Sequence, residues 1–121
     1  IDYLKKNDFI PFKKKQSLFA MTAHIIYKDI DKKYTGTHSK KVIKLIRNYI
    51  KFKNLIITDD ISMRSLKFSI SENTTRSFNA GCNLVLHCNG NYKDMIKVAQ
   101  NSPIISNFII KKTSEFYKFL S

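Results

Sequence analysis

The sequence lacks the features that mark membrane-spanning, secreted and zinc-binding proteins. No stretch reaches the roughly 20 apolar residues that a membrane-spanning helix needs, and residues 1–6 lack the apolar core of a secretory signal. The only two cysteines, Cys82 and Cys88, are separated by five residues, whereas zinc ligands have shorter spacings and a second ligand pair. We therefore expect a cytoplasmic protein with buried, reduced thiols, no membrane contact, no metal and no cofactor.

Acidic residues and arginine are also scarce. Nine Asp and Glu stand against 22 Lys and Arg, which gives a net charge of +13 and raises nucleic acid as a partner. Only Arg47, Arg64 and Arg76 are arginines, although arginine dominates base and phosphate recognition. The abundance of Ile, Lys and Asn is typical of AT-rich coding. A basic nucleic-acid-binding domain is thus the weakest alternative, and we expect no nucleic-acid partner.

The composition predicts one globular domain over residues 1–121. Hydrophobic residues make up 43% and aromatic residues 12% of the chain, which is ordinary for a folded domain of this length. There is no repeat and no low-complexity linker. The first residue is Ile1 rather than Met, so we expect the sequence to begin inside a longer reading frame.

Three short apolar runs predict buried strands, at residues 18–21, 55–57 and 84–86. Each run is nearly continuous rather than alternating, which is typical of strands covered on both faces of a parallel sheet. They recur about every 30 to 37 residues, the length of a β-α-β step. The pattern favours an α/β fold.

Helical patterns fill the intervals between these runs. Ser39 is a good N-cap for a helix ending near Ile50, and Gly81 suits the left-handed residue that ends a helix. The predicted helices are 4–15 (weak, interrupted by Pro11), 40–50, 72–80, 93–100 and 113–119. Three β-α units can form a small open sheet, whereas a closed (β/α)8 barrel needs about 250 residues. The pattern alone leaves both architectures open.

The second apolar run ends in two carboxylates, Asp59 and Asp60. In α/β barrels the catalytic groups lie at the carboxyl ends of strands, because those ends open onto the active-site face. The alternative is that one of the two aspartates only caps the following turn. The local pattern does not decide between these roles.

Several ordered segments resemble the bacterial β-N-acetylhexosaminidases of glycoside hydrolase family 3. Ile57-Thr-Asp-Asp-Ile-Ser-Met63 is similar to the family's (S/T)-D-D-(L/I)-S-M. Further similar segments are Asp8-Phe-Ile-Pro-Phe12 (D-L-x-P-F), Met21-Thr-Ala-His-Ile-Ile-Tyr27 (M-T-A-H-V-I-Y), Asp29-Ile-Asp31, Ser39-Lys-Lys-Val-Ile43 and Ala80-Gly-Cys-Asn-Leu-Val-Leu-His-Cys-Asn-Gly90 (A-G-C-D-L-V-L-H-C-N-G). Such an ordered series is highly specific.

The resemblance implies the C-terminal half, about three β-α units, of a (β/α)8 barrel in a retaining glycosidase. That enzyme would release N-acetylglucosamine from peptidoglycan-derived muropeptides during cell-wall recycling. Asp59 would be the nucleophile and Asp60 a structural residue that bonds backbone amides. His24 and Met63 are candidate substrate-binding residues, although a structural His24 and a packed Met63 are the simpler interpretations.

The sequence also departs from the family pattern. Residues 34–39 replace N-P-A-T-L-S, Asn54 replaces a glycine and Asn83 an acidic residue, so we expect a loosened loop and turn. The sugar-binding K-H-F-P-G-H-G segment and the acid/base histidine have no counterpart. We therefore expect the 121 residues alone to be inactive and poorly soluble, and to need the missing N-terminal half as a partner. The alternative is a non-catalytic remnant or interaction module of the same fold.

Overall fold

A computed structural model describes residues 1–13 and 17–120 as an α/β unit built on one parallel sheet. The strands are β1 (Phe19–Met21), β2 (Leu55–Asp60) and β3 (Leu84–Leu86). The helices are α1 (Asp2–Lys6), α2 (Lys40–Asn48), α3 (Ile70–Ala80), α4 (Tyr92–Gln100) and α5 (Asn107–Tyr117), and a 3₁₀ turn covers Ile10–Phe12. The longest of these helices has 11 residues, and none in the described chain is long and apolar enough to cross a membrane.

The sheet order is β1-β2-β3, with both neighbouring pairs parallel. The chain therefore runs strand, helix, strand, helix, strand, as the spacing of the apolar runs predicts. Phe19 lies opposite Leu55, and Ile57 lies opposite Leu84. The predicted α/β class with parallel strands is confirmed, and the position of these strands within a barrel stays a prediction.

The core lies between the sheet and the helices α2 and α3. Ile56 is fully buried on the central strand, and Ile43, Phe52, Ala80 and Cys82 pack into the same cluster. Because β2 has helices or neighbouring strands around it, its apolar residues are continuous rather than alternating. Because β2 is packed in this core, the strand that carries the two aspartates is held in place.

Local capping signals place the start of α2 and the end of α3 as predicted. The Ser39 hydroxyl accepts a hydrogen bond from the Val42 amide at 3.2 Å, and it donates to the Asp31 carboxylate at 2.7 Å. Gly81 ends α3 in the left-handed region, with φ of 112°. Both predictions depend on short-range chemistry and both are confirmed.

The loop over residues 34–39 is closely packed rather than loosened. Thr37 and Ser39 have no exposed surface, and the Gly36 amide donates to the Ile25 carbonyl at 2.8 Å. Asp31 accepts bonds from the Ser39 hydroxyl and from two loop amides. Chiefly the bond from Ser39, and then those amides, hold the pKa of Asp31 below its usual value although burial opposes this. An ionised carboxylate thus anchors the loop.

The two asparagines that depart from the family pattern are both linked to Arg47. The Asn83 side-chain oxygen accepts bonds from Arg47 Nη2 at 2.7 Å and from the Ile56 amide at 2.9 Å. The Asn54 carbonyl accepts a 2.6 Å bond from Arg47 Nη1, while its side chain donates to the Ser17 carbonyl at 2.9 Å. Burial lowers the pKa of Arg47, and these carbonyl and amide oxygens satisfy its guanidinium. The turn before β2 is therefore firmly connected.

Two expected helices, and the expected burial of both cysteines, differ in detail from the structure. The predicted helix 4–15 is the short α1 followed by a 3₁₀ turn that contains Pro11, and residues 14 and 15 lie outside the described residues. The last helix begins at Asn107 rather than at Thr113, because Ser106 caps it. Cys82 is buried, and burial raises the pKa of its thiol to about 12. Cys88, however, is exposed, since it follows the end of β3.

Candidate functional site

Four ionisable side chains gather where the three strands end. Asp59 and Asp60 close β2, His24 follows β1 by three residues, and His87 follows β3 directly. Because the strands are parallel, their carboxyl ends share one edge of the sheet. The structure therefore brings the predicted nucleophile and His24 to the same rim.

Asp59 is half-buried and keeps part of its carboxylate available. Its Oδ1 accepts a 2.8 Å bond from the amide of the next residue, Asp60. Within the described chain, Oδ2 accepts no hydrogen bond from the protein. The Asp59 amide donates to the Thr22 carbonyl at 3.3 Å, which continues the pairing of β1 with β2. One oxygen is held in place while the other is free for an electrophile.

Asp60 has the structural role that the sequence predicts. Its Oδ1 accepts bonds from the Ser62 amide at 3.0 Å and from the Cys88 amide at 3.1 Å, and the Ser62 hydroxyl donates to both oxygens. Burial alone would raise the pKa of Asp60, but these bonds and nearby His87 hold that pKa below its usual value. Asp60 therefore remains charged and joins the segment after β2 to the segment after β3.

A shift in register, as a β-bulge produces, lies beside Asp59 in β2. From the pair Ile57–Leu84 to the pair Asp60–Leu86, β2 advances three residues while β3 advances two. Such bulges bend a strand locally and re-aim its side chains. The Leu86 amide, displaced from its regular backbone partner, donates instead to the hydroxyl of fully buried Thr58 at 3.0 Å. Thr58 was not predicted as a site residue, and its only signal is its place beside Asp59.

His24 is hydrogen-bonded through both ring nitrogens. Its Nε2 lies 2.9 Å from the Asp60 carbonyl oxygen and its Nδ1 lies 2.7 Å from the Thr37 hydroxyl. A sugar that contacts this ring in the observed arrangement would meet its carbon atoms. The substrate-binding role of His24 stays a prediction, and the geometry places the residue next to the backbone of the aspartate pair.

Met63, the other candidate for substrate binding, is 44% exposed in the segment after β2. It therefore has surface available for a ligand, and more than half of its surface is also covered by the protein. A role in lining the site stays a prediction.

The apolar run around His87 indicates an ordinary strand residue. His87 nevertheless lies just past β3, and both of its ring nitrogens are buried without a hydrogen bond.

Within residues 1–13 and 17–120 no three His, Cys, Asp or Glu side chains come together as a metal site. The site is instead a rim of charged and hydrogen-bonding groups. It contains one partly free carboxylate, Asp59, and one fully engaged carboxylate, Asp60. Chemically, such a rim offers a fixed nucleophilic or basic oxygen.

A parallel α/β unit that gathers its ionisable groups at the carboxyl ends of its strands has the arrangement of an α/β enzyme. Comparison with known proteins defines the family. The chain belongs to glycosyl hydrolase family 3, since the model of the family's N-terminal domain matches residues 1–114. The family resemblance seen in the sequence motifs is confirmed.

Relatives with assigned functions agree with this placement. A β-hexosaminidase of Nitrosomonas eutropha is 34% identical over 91 residues, which are 71% of this chain and 26% of that protein. A β-hexosaminidase of Neisseria gonorrhoeae is 34% identical over 94 residues, or 74% and 26%. The chain thus spans about a quarter of the length of these curated relatives.

A solved structure shares the fold. The β-N-acetylglucosaminidase of Thermotoga maritima superimposes with a TM-score of 0.71 at 27% identity, over 98% of this chain and 29% of that one. The described elements therefore share the fold of part of that larger protein, and the enzyme class expected from the sequence is confirmed for the family.

Proposed function

We propose that this chain is the nucleophile-bearing part of a retaining β-N-acetylhexosaminidase, with Asp59 as the nucleophile. The observation that carries the proposal is the geometry of that carboxylate. It ends a buried strand, one oxygen is fixed by the Asp60 amide at 2.8 Å, and the other oxygen has no partner in the described chain. A covalent mechanism needs a carboxylate that is held rigidly and is accessible to the anomeric carbon.

The reaction would proceed in two displacements. Asp59 Oδ2 attacks the anomeric carbon, the bond from that carbon to the leaving oxygen breaks, and a glycosyl-enzyme forms. Water then attacks the same carbon and releases both the sugar and the carboxylate. The bulge at Thr58 and the contacts of Asp60 fix the direction of attack, which matters because small misplacements slow such reactions strongly.

The leaving oxygen also needs a proton, and we propose that a group outside these 121 residues donates it. The His24 nitrogens are both engaged and those of His87 are buried. General acid catalysis is worth about 10² to 10⁴ in rate. We therefore expect the chain alone to be inactive and to act with the rest of a (β/α)8 barrel, of which it forms the C-terminal half.

The proposed substrate is a terminal β-N-acetylglucosamine residue. The Thermotoga protein is named a β-N-acetylglucosaminidase, which supports this sugar, and the Nitrosomonas and Neisseria proteins are named β-hexosaminidases, which supports the broader class. A muropeptide as the bearer of that sugar, and hence a cytoplasmic role in cell-wall recycling, rests on the sequence resemblance. In this proposal Met63 and the ring carbons of His24 contact the sugar beside Asp59.

Complementation tests the proposal directly. The chain would be co-expressed with the residues of the Nitrosomonas relative that it does not cover, and release of a chromogenic N-acetylglucosaminide would be measured. We expect activity that Asp59→Asn lowers by at least about 10³-fold, because the amide is not a nucleophile. Asp2→Asn, at a side chain 85% exposed on α1, is the matched control and should leave the rate unchanged.

Two outcomes would contradict the proposal. Activity that survives Asp59→Asn would remove the assigned nucleophile. A stable, correctly folded complex without activity would favour the non-catalytic interaction module. Intact mass after reaction with a slow 5-fluoro analogue of N-acetylglucosamine adds a separate check, since the label should attach to the wild-type chain and not to the Asp59→Asn chain.

A further inference from the structure

A chain of three side chains connects the end of β1 to the backbone of the aspartate pair. The Thr22 hydroxyl lies 2.9 Å from the Thr37 hydroxyl, which lies 2.7 Å from His24 Nδ1. His24 Nε2 completes the chain at 2.9 Å from the Asp60 carbonyl oxygen. Both threonines are buried, with 5% and 0% of their surface exposed. A buried network of this kind holds one arrangement when all its members are satisfied.

The Asp60 carbonyl at one end fixes the donor and the acceptor of every hydrogen bond in this series. A carbonyl oxygen only accepts, so His24 Nε2 must carry a proton. In the neutral ring Nδ1 is then an acceptor, and it accepts a hydrogen bond from the Thr37 hydroxyl. The Thr37 oxygen in turn accepts a hydrogen bond from the Thr22 hydroxyl. Each donor has one acceptor, and the tautomer of His24 is therefore specified by its neighbours.

We infer that His24 is a positioning residue, which fixes the main chain on which the Asp59 carboxylate is mounted. The inference rests on the proposed role of Asp59. Thr22 contributes twice, since its carbonyl accepts the Asp59 amide at 3.3 Å while its hydroxyl begins the chain that ends on the Asp60 carbonyl. The peptide group before Asp59 is thus tied to the residue that follows β1, and the peptide group after Asp60 is tied through His24 to the loop of residues 35–39.

The first test reads the tautomer in the wild-type 121-residue chain. Two-bond ¹H–¹⁵N correlation of the histidine rings at a pH where they are neutral should show His24 protonated at Nε2. Thr37→Val removes the hydroxyl that donates to Nδ1, and it should shift the Nδ1 resonance, whereas Thr37→Ser should restore it. A His24 ring protonated at Nδ1 would overturn the inference.

A pair of substitutions separates the bond to Asp60 from mere occupation of space. The amide of His24→Gln can reach the position of Nε2 and still donate, while His24→Asn reaches only the position of Nδ1. We expect the Asp59 amide to exchange with solvent about tenfold faster in His24→Asn, a typical effect of losing one buried bond, and to stay near wild type in His24→Gln. Equal exchange in the two variants would contradict a positioning role.

Kinetics distinguish this inference from the proposed function. In the complemented enzyme, His24→Asn should lower kcat about tenfold or more, and His24→Gln should recover most of kcat. Both variants lose the ring carbons that we propose contact the sugar, so any rise in KM should be similar in the two. A rise in KM without a loss of kcat would leave His24 only its contact with the sugar and would overturn the inference. If complementation yields no activity at all, the proposed function fails, while the tautomer and the exchange rates still decide the role of His24.

Discussion

At the scale of single residues, His38 has an imidazole ring that is buried and incompletely hydrogen-bonded. Only 7% of its surface is exposed, its ring packs 6.1 Å from the Phe68 ring, and its Nε2 is buried without a hydrogen bond. Burial lowers the pKa of His38 from 6.5 to about 4, with a smaller contribution from the charge of Arg76. The family pattern has leucine at this position, so a polar ring takes the place of an apolar side chain.

His38→Leu should therefore stabilise the fold and remove part of its pH dependence. Between pH 6.5 and about 4 the unfolded state binds a proton that the folded state does not. Stability must then fall as pH falls through this window, by up to about 1.4 kcal/mol per unit. We expect the urea-unfolding free energy of His38→Leu to exceed that of wild type increasingly toward pH 4.5. A difference that stays constant with pH would contradict this account.

The residues that sequence reasoning identified are those whose chemistry is local. The capping bonds of Ser39 and the turn contacts of Asp60 join residues two or three apart, so a short pattern contains them. The burial of His38 against Phe68 and the bond from Thr37 to His24 bring together distant segments. Periodicity does not predict such contacts. The burial of His38 was therefore not predicted, and for His24 the structural interpretation was predicted without its hydrogen-bond partners.

At the scale of elements, the end of α3 depends on Gly81. Its φ of 112° is the left-handed conformation that a side chain disfavours, and an added Cβ would lie 2.9 Å from Ile43 Cγ2. Gly81→Ala should lower the unfolding free energy by about 2 kcal/mol or more, through backbone strain together with the clash. Chemical denaturation monitored by circular dichroism measures this loss.

Gly90→Ala is the matched control for that substitution. Gly90 also has a positive φ, of 70°, but no atom lies within 4 Å of the position that an alanine methyl group would take. It should cost only the backbone strain, about 1 kcal/mol. If both substitutions cost the same, contact with Ile43 plays no part in ending α3, and the packing of α2 against α3 would need another explanation.

Helix ends were predicted closely where a cap residue marks them. Ser39 begins α2 and Gly81 ends α3, as predicted, and α4 (Tyr92–Gln100), which Asn91 caps, differs by one residue from the predicted 93–100. The last helix was predicted late because its first turn, after Ser106, is rich in exposed apolar residues. The bulge in β2 was not predicted, since it arises from the pairing of β2 with β3.

At the scale of the whole molecule, the sheet leaves apolar surface uncovered beside β1. In the described chain the outer edge of β1 has no neighbouring strand, and a cavity of about 510 Å³ opens there, lined mainly by apolar side chains such as Phe9, Phe19, Met21 and Ile46. Exposed edges of this kind pair with other chains. This surface gives a physical reason for the low solubility expected from the sequence.

Met21→Lys tests whether that edge causes the chain to associate. Met21 is 59% exposed on β1, and a lysine on an edge strand opposes pairing with a second chain. We expect wild type to form larger species as its concentration rises, and Met21→Lys to shift the onset several-fold higher in sedimentation velocity. Met95→Lys, at a methionine 50% exposed on α4, adds the same charge to a net charge already at +13. An equal effect of both lysines would assign the improvement to charge repulsion, whereas an effect confined to Met21→Lys locates the association at the sheet edge, because only that substitution changes the surface beside β1.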